Sequence, residues 1–348
     1  MTAQAVAALG GVTAVLAWLL VGLVARQARR WGLVQAPNPR SSHSAPTPTA
    51  GGLGMVVATL AAGAWLVLAG AGEIGTWLLL SLPLAALGLL DDMRPVSAAL
   101  RLAAQTAVVA GLLGWMGGPP TLVAGPLTLA GWPLWALVLL AGVWWINLFN
   151  FMDGIDGIAA VQAIFMLAAG AVLAVSTQAE AATTPALALA VCTMAAVLGF
   201  LVFNWPPAKL FMGDVGSTWL AFMILAFALF SIRAGWLGYA GWLILGAVFA
   251  VDATVTLLTR MLRKERWYEA HRSHVYQRLA RRWAHDRAGA HRAVTLAVLA
   301  IDLLWLAPLA WASVAWPERA ALWLVLAYAP LLAGAILLGA GRPDTPDA

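Results

Sequence analysis

Five aspartates lie at the ends of long apolar runs: Asp91, Asp92, Asp153, Asp156 and Asp214. Ionisable side chains next to hydrocarbon are costly and are usually functional. Carboxylate oxygens are the ligands that magnesium prefers, and bound magnesium readily shares phosphate oxygens. We therefore expect divalent-cation and phosphate chemistry at a membrane surface, with the carboxylates converging in one pocket.

The segment from Asn147 to Gly157 closes an apolar run with polar residues. Asn147, Asn150, Asp153 and Asp156 recur at every third position, a spacing that keeps them near one helix face for about two turns. The glycines that follow the two aspartates predict a break in the helix. Core packing does not account for this pattern, so we interpret these side chains as functional.

The loop from Asn204 to Ser217 brings a lysine, an aromatic residue and a carboxylate together between glycines. Asp214 is the sharpest candidate for a metal ligand, because a lone carboxylate suits magnesium, which keeps most of its waters. Phe211 or Trp205 could stack on a base. An ordinary helix-initiating loop, with an acidic residue at the helix N-terminus, explains the same pattern.

Asp91 and Asp92 are followed by Arg94 and Arg101. Two adjacent carboxylates repel each other unless a cation, a proton or an arginine relieves them. A structural turn accounts for a bare Asp-Asp pair about equally well. Its place at the mouth of a membrane bundle favours a functional interpretation.

The first polar loop runs from Pro37 to Gly52, and its prolines and glycines prevent a regular helix. Free backbone N–H groups at Gly51 and Gly52 would favour an anion at the start of the next helix. Arg40 and His43 would add positive charge. A simple connector is an equally consistent interpretation.

The longest polar loop contains His271, Arg272 and His274. The two histidines would face a pyrophosphate together if this segment is helical. A solvated, lipid-facing basic surface is the alternative interpretation. Asp252 and Asp302 lie inside later apolar runs, where they either function or hydrogen-bond between helices.

The composition requires a membrane protein, since only 10% of the 348 residues are charged and the mean hydropathy is +0.86. Cys192 is the only cysteine, which excludes a disulfide framework and a cysteine-rich metal site. We predict an all-α polytopic helical bundle that forms one domain over residues 1–348 and ends in two helices within 293–339. About eleven runs are long enough to span the bilayer: roughly 5–25, 52–71, 75–90, 99–116, 131–150, 157–176, 185–203, 216–233, 236–259, 293–313 and 319–339.

Basic residues are distributed unevenly between the two ends of these runs. Threading the chain with its N-terminus outside places every Lys and Arg except Arg233 and Arg319 on the inner side. The C-terminus is then cytoplasmic, and the net charge of +5 follows from membrane sidedness and not from nucleic-acid binding. Arg26, Arg29 and Arg30 follow the first run, the reverse of a cleavable signal peptide, so we expect that run to remain as a helix.

Taken in order, the motifs resemble the polyprenyl-phosphate N-acetylhexosamine-1-phosphate transferase family, a membrane type of glycosyltransferase family 4. The resemblance extends over about residues 40–278. It implies transfer of a sugar 1-phosphate from a UDP-activated N-acetylated hexosamine to undecaprenyl phosphate, with release of UMP, at the cytoplasmic face of the bacterial inner membrane. The motifs are Pro-Thr-Pro-Thr-Ala-Gly-Gly, Asp-Asp, Asn-Phe-Met-Asp-Gly-Ile-Asp-Gly, Phe-Met-Gly-Asp-Val-Gly-Ser and His-Arg-Ser-His.

The resemblance also implies roles for individual residues, with one aspartate of the Asp-Asp pair accepting or orienting the proton of the lipid phosphate. The implied catalytic residues are Asp91, Asp92, Asp153, Asp156, His271 and His274. The implied substrate-binding residues are Arg40, His43, Arg101, Asn150, Lys209, Phe211 and Arg272. The implied ligands of Mg²⁺, for which Mn²⁺ can substitute, are Asp214 and Asp153.

The histidine motif differs from the three consecutive histidines that are usual in the peptidoglycan branch. It looks like the branch that acts on O-antigen and amino-sugar precursors, so UDP-GlcNAc, UDP-FucNAc and UDP-QuiNAc are the candidate donors. The implied partners are the polyprenyl phosphate lipid, the UDP-sugar and membrane lipids, without nucleic acid, and a homodimer is left open.

Two other classes compete with this interpretation. An ion-coupled transporter would also place acids within a membrane as a cation site, but here the acids gather at one mouth and the sequence has no internal repeat. A phosphatidyltransferase that uses CDP-lipids would carry an Asp-Gly-x-x-Ala-Arg pattern. Here Ile155 and Asp156 follow Gly154 instead.

Overall fold

The computed structural model describes residues 1–35, 46–124, 127–265, 271–283 and 287–343. Apolar segments become helices because a bilayer offers no partners for free backbone groups, so each segment must satisfy its own. The helices are α1 (Ala3–Trp31), α2 (Gly52–Leu68), α3 (Gly75–Met93), α4 (Ala98–Trp115), α5 (Gly131–Met152), α6 (Ile158–Thr177), α7 (Pro185–Asn204), α8 (Asp214–Arg233), α9 (Tyr239–Leu245), α10 (Ala247–Leu262), α11 (Val275–Trp283), α12 (Arg287–Ile301), α13 (Ala307–Ala315) and α14 (Ala320–Leu337).

The strands in the described ranges are short, with two or three residues each. β1 (Val34–Gln35) pairs antiparallel with β2 (Thr47–Pro48) beside the start of α2. β3 (Leu122–Ala124) and β4 (Leu127–Leu129) form a second antiparallel pair between α4 and α5. The predicted all-α membrane bundle is therefore confirmed.

The predicted number of spans requires a correction. Nine helical segments in the described chain are long and apolar enough to cross a membrane, with α12, the turn after it and α13 counted as one segment, or ten if the bent pair α9 and α10 is counted as one span. The second predicted run forms α2, whose 17 residues fall short of that length. All eleven apolar runs are helical, but the count of eleven spans exceeds what length and composition support.

The ninth span is broken. α9 and α10 meet at an angle of 74°, and the side-chain amide of Gln162 on α6 donates a 3.0 Å hydrogen bond to the carbonyl of Leu245 at the break. A turn of π-helix, Asp302–Leu306, joins α12 to α13. Asp302 is fully buried in this turn, inside the apolar part of the bundle.

Helix α8 forms the centre of the bundle and packs against α2, α3, α5, α6 and α7. Trp219, Phe222 and Phe227 on this helix are almost completely buried. Glycines allow the closest approaches: a Cβ on Gly88 of α3 would lie 2.5 Å from the carbonyl oxygen of Asp214. The central position of α8 fixes its first residue, Asp214, against the ends of α3 and α5.

The first and last described residues lie at opposite ends of the bundle. The amino group of Met1 lies 3.4 Å from the carbonyl of Thr183, and the 29 residues of α1 then span about 43 Å. Arg342 contacts Arg278 at the end that carries Asp214. This arrangement agrees with the threaded topology, whereas the side of a membrane that each end faces stays a prediction.

Candidate active site

Asp92 forms the N-terminal cap of the central helix α8. Its two carboxylate oxygens accept the backbone N–H groups of Asp214, at 2.9 Å, and Val215, at 3.1 Å. Gly213 precedes them with a φ of +74°, and a Cβ there would lie 2.5 Å from the Asp92 carboxylate, so glycine is required. The cap provides acceptors for two of the N–H groups that have no partner within the helix at its start.

Asp91 lies next to this cap, and its carboxylate contacts the carboxylate of Asp214. Arg101 at the start of α4 forms an ion pair with Asp91 and lies 3.6 Å from Asp214. The backbone N–H of Val96 donates to the other oxygen of Asp91 at 2.6 Å. One guanidinium therefore partly offsets the repulsion between two carboxylates that sequence places 123 positions apart.

Asn150 on α5 reaches the same carboxylate. Its side-chain amide donates to Asp214 at 2.9 Å and to the hydroxyl of Ser217 at 2.8 Å. Asn147, one turn earlier, donates to Gln105 on α4 at 2.7 Å instead. The spacing of three therefore predicts the position of Asn150 well, while Asn147 serves the contact between helices.

Asp153 follows the last residue of α5 and is partly buried. Burial raises the pKa of Asp153 well above its ordinary value, and the nearby charges of Asp214, Asp92 and Asp156 raise it further. Such mutual influence requires the carboxylates to share one region. The structure thus brings all five predicted aspartates to one end of the bundle.

Asp156 is almost completely enclosed, with 2% of its surface exposed. One carboxylate oxygen accepts the N–H of Ala208 at 3.0 Å, and the other lies 3.2 Å from Nδ1 of His291 on α12. The hydroxyl of Thr295 donates to the Asp156 carbonyl at 3.1 Å. Asp156 therefore connects α12 to the loop that precedes α8, and its predicted catalytic role stays a prediction.

The loop before α8, residues 205–213, is fixed at both ends. Asn204 accepts the N–H of Gly157 and donates to the carbonyl of Leu210, both at 3.0 Å. Within this loop Lys209 is exposed and Phe211 is partly exposed. Both predicted substrate-binding side chains therefore remain accessible beside the carboxylates.

The prediction for the start of α2 is half right. Gly52 approaches Gly216 of α8 so closely that a Cβ would collide with it, as expected for paired glycines. The N–H groups of Gly51 and Gly52, however, donate to the carbonyls of Phe211 and Met212, both at 2.9 Å. They are not free for an anion, so the predicted backbone anion site is wrong. The side chains of Arg40 and His43 lie outside the described residues.

His271 to His274, here called the histidine segment, precedes α11 and is not helical. The two imidazoles nevertheless lie side by side, with ring centroids 4.9 Å apart. The hydroxyl of Tyr276 donates to the carbonyl of Phe151 at 3.0 Å, which ties the segment to the end of α5 near Asp153. Arg272 in the middle of the segment is partly exposed.

Asp252 on α10 organises this segment. Its carboxylate accepts the N–H groups of Val275 at 2.9 Å and Tyr276 at 3.0 Å, and it lies 3.3 Å from Nδ1 of His274. Asp252 thus caps α11 and orients one histidine at the same time. Of the two sequence interpretations of Asp252, the structure supports a bond between helices that serves the predicted site.

His271 is less enclosed than His274, and the hydroxyl of Ser273 lies 3.1 Å from its Nδ1. Burial, together with the neighbouring His274 and Arg260, lowers the pKa of His271 to about 3, although Asp252 acts in the opposite direction. The imidazole is therefore neutral at pH 7. It can accept a hydrogen bond from a protonated phosphate or donate one to a pyrophosphate oxygen.

Several residues at this end were not expected from sequence: Ser217, Arg278, His291 and Thr295. His291 and Thr295 lie on α12, where a lone histidine or threonine in an apolar helix gives no pattern, and Arg278 ends the polar loop that contains the histidines without any sign of its partners. Ser217 is the exception, since it lies three positions after Asp214 and therefore shares its helix face.

The donor set is compatible with magnesium. Within the described ranges, no group of three acidic, histidine or cysteine side chains forms a complete metal cluster. Magnesium needs only one or two carboxylates, because it keeps waters and binds substrate phosphates. The contact between the Asp91 and Asp214 carboxylates leaves negative charge that Arg101 offsets only in part. These oxygens therefore fit a divalent cation.

Comparison with known proteins identifies the class. The family model of glycosyl transferase family 4 matches residues 74–232. The chain is 30% identical over 273 residues, 75% of this chain and 73% of the relative, to a probable undecaprenyl-phosphate N-acetylglucosaminyl 1-phosphate transferase of Bacillus subtilis strain 168. It is 34% identical over 263 residues, 69% of this chain and 72% of the relative, to a phospho-N-acetylmuramoyl-pentapeptide-transferase of Synechococcus sp. strain JA-3-3Ab.

A phospho-N-acetylmuramoyl-pentapeptide-transferase of Deinococcus radiodurans is 33% identical over 232 residues, 59% of this chain and 70% of the relative. The chain belongs to glycosyl transferase family 4. The family resemblance seen in the motifs is thereby confirmed. Because relatives with both kinds of name match, the branch within the family is not distinguished.

Proposed function

We propose that this protein transfers a sugar 1-phosphate from a UDP-sugar to a polyprenyl phosphate, here undecaprenyl phosphate, and releases UMP. The observation that carries the proposal is the contact of Asp91, Asp214 and Arg101 at the start of the central helix. Family membership and the names of the relatives support the same reaction class.

The reaction joins two anions, so the site must offset their repulsion. Arg101 lies between the two carboxylates, and exposed Lys209 and partly exposed Arg272 lie on the loops around them. These cations would hold the pyrophosphate of the donor. Phe211 would stack on the uracil ring, and Asn150 would keep Asp214 in place.

The attacking lipid phosphate must lose or orient a proton. Asp91 is the better placed member of the Asp-Asp pair, because its carboxylate lies beside Arg101 and Asp214, whereas both oxygens of Asp92 bind the backbone of α8. We assign Asp91 to the lipid phosphate and Asp92 to the position of Asp214.

We propose magnesium as the cofactor, held by Asp214 and Asp153 and replaceable by manganese. When bound, it would neutralise charge on the pyrophosphate that forms and is cleaved. The oxygen donors and the incomplete neutralisation by Arg101 support this assignment.

We further propose an amino-sugar donor of the GlcNAc, FucNAc or QuiNAc type, and a role at the start of O-antigen or other envelope-glycan synthesis. The His-Arg-Ser-His motif supports this branch. We also propose the inner membrane of a bacterium as the location, in keeping with the family, and the distribution of basic residues supports a site on the cytoplasmic face.

Purified protein in nanodiscs tests the proposal when undecaprenyl phosphate, Mg²⁺ and a panel of UDP-sugars are supplied and UMP is measured. We expect UMP with at least one amino sugar. Asp214→Asn should lower kcat on the order of a hundredfold or more, while the exposed Arg94→Met should behave as wild type. Absence of UMP with every donor would contradict the proposal, and ion-coupled uptake into vesicles that Asp214→Asn preserves would favour a transporter instead.

A further inference from the structure

The end of the last helix lies against the histidine segment. Residues Leu338–Arg342, here called the C-terminal clasp, directly follow α14. The N–H of Gly341 donates to the carbonyl of Ser273 at 2.9 Å. Arg278 donates from Nε to the carbonyl of Leu338 and from Nη1 to the carbonyl of Arg342, both at 3.0 Å.

Arg278 suits this position for physical reasons. The last carbonyls of a helix have no partner within the helix, and the C-terminal end of the helix favours a cation. A guanidinium offers several donors in a fixed plane, so it can hold two carbonyls at once. Arg278 is only 7% exposed, and a buried charge without such partners would be very costly.

Close packing surrounds the clasp. Gly341 has a φ of +73°, and a Cβ there would lie 2.6 Å from the carbonyl oxygen of Thr256 on α10. Ala335 and Ala340 pack with Val251 in a small apolar cluster that is separate from the main core and that Val275 also contacts. The clasp therefore packs against α10, which carries Asp252, and lies close to Val275, which directly follows His274.

We propose that the C-terminal clasp and Arg278 are positioning elements that hold the histidine segment for the transfer step. Asp252 fixes the segment from α10, and the clasp fixes it through the carbonyl of Ser273 and through Arg278 on α11. The role for transfer rests on the proposed function. The clasp lies well beyond residues 74–232, which the family model matches.

A pair of deletions tests the clasp in the full protein in nanodiscs. One deletion removes residues 338–348, and the matched control removes only residues 344–348, which lie outside the described residues. We expect the longer deletion to accelerate amide hydrogen exchange in residues 271–278 and to lower kcat on the order of a hundredfold. KM for undecaprenyl phosphate and for the UDP-sugar should change much less. The control keeps the clasp, so it should show slower exchange and a higher kcat than the longer deletion.

Single substitutions test the clasp if the longer deletion does not fold. Arg278→Met and Gly341→Ala should reproduce the faster exchange and the lower kcat, and Arg278→Lys should fall between Arg278→Met and wild type. Arg282→Ala, an exposed position on the same helix, is the control. Unchanged exchange and unchanged kcat in Arg278→Met and Gly341→Ala would overturn the proposed positioning role of the clasp. Faster exchange together with no UMP from the wild type would refute the transferase but support the clasp.

Discussion

The carboxylate of Asp92 binds the backbone N–H groups of Asp214 and Val215 and so determines where the central helix begins. Asp91 and Asp92 therefore have different surroundings and, we expect, different roles. One carboxylate faces Arg101 and Asp214, and its neighbour holds the helix that presents Asp214. Two chemically identical adjacent residues should consequently respond differently to the same substitution.

The first prediction concerns Asp92. Asp92→Ala should lower the stability of the folded protein by about 1 kcal/mol, the usual cost of a lost helix cap, and should reduce UMP release with it. Asp92→Asn keeps an acceptor oxygen, so it should retain much more activity than Asp92→Ala. Thermal unfolding in detergent and initial rates of UMP release would be measured on both variants.

Asp91 provides the comparison for this test. Asp91→Asn should lower the rate strongly while leaving thermal unfolding nearly unchanged. Equal inactivity of Asp92→Asn and Asp92→Ala, with unchanged stability, would instead favour Asp92 as the proton acceptor that the motif implied.

Sequence predicted the acidic end of the bundle well because apolar length determines helices and helix ends determine where carboxylates gather. It did not predict that Gly51 and Gly52 use their N–H groups on Phe211 and Met212, since the partner loop lies some 160 positions away in the chain. Nor could it assign two different tasks to Asp91 and Asp92, because their environments arise only when α3 packs on α8. Local pattern gives the position of a polar group, and tertiary packing decides its partner.

The second prediction concerns Arg101. Arg101→Met removes the cation between Asp91 and Asp214, so repulsion between the carboxylates and the phosphates should increase. We expect kcat/KM to fall on the order of a hundredfold. Arg94→Met is the matched control, because Arg94 lies in the preceding turn and is exposed. A similar loss in both variants would show that only the general positive charge of this end matters.

The third prediction concerns His291, which no sequence pattern singled out. His291→Ala removes the partner of Asp156, and the N–H contact between Asp156 and Ala208 should weaken. The loop with Lys209 and Phe211 would then be less fixed, so KM for the UDP-sugar should rise on the order of tenfold. Steady-state kinetics with each substrate varied in turn would show whether KM for the lipid stays nearly constant.

The neighbouring exposed residue supplies the control for His291. Arg292→Ala should leave both KM values unchanged, because its side chain is exposed, whereas that of His291 is buried against Asp156. Proportional changes in kcat without any change in KM for the UDP-sugar would be inconsistent with a role of His291 in placing this loop.

The fourth prediction is a dependence on pH that originates at His271. Its pKa in the folded protein is about 3, against an ordinary value of 6.5. Between these two values the unfolded chain binds a proton that the folded protein does not bind. Stability from this group is therefore fully present above pH 6.5 and is lost as pH falls from 6.5 toward 3.

Two measurements test the predicted loss of stability as pH falls. In the substrate-free protein with ¹³C-labelled histidine, the signal that disappears in His271→Gln should keep the chemical shift of a neutral imidazole well below pH 6.5. Thermal unfolding of His271→Gln should also decline less than that of wild type as pH falls through the same window, because glutamine does not titrate. A midpoint near 6.5 for the His271 signal would mean that the imidazole is solvated and charged in acid. Its role would then be that of a cation facing the pyrophosphate, not that of a neutral hydrogen-bonding group.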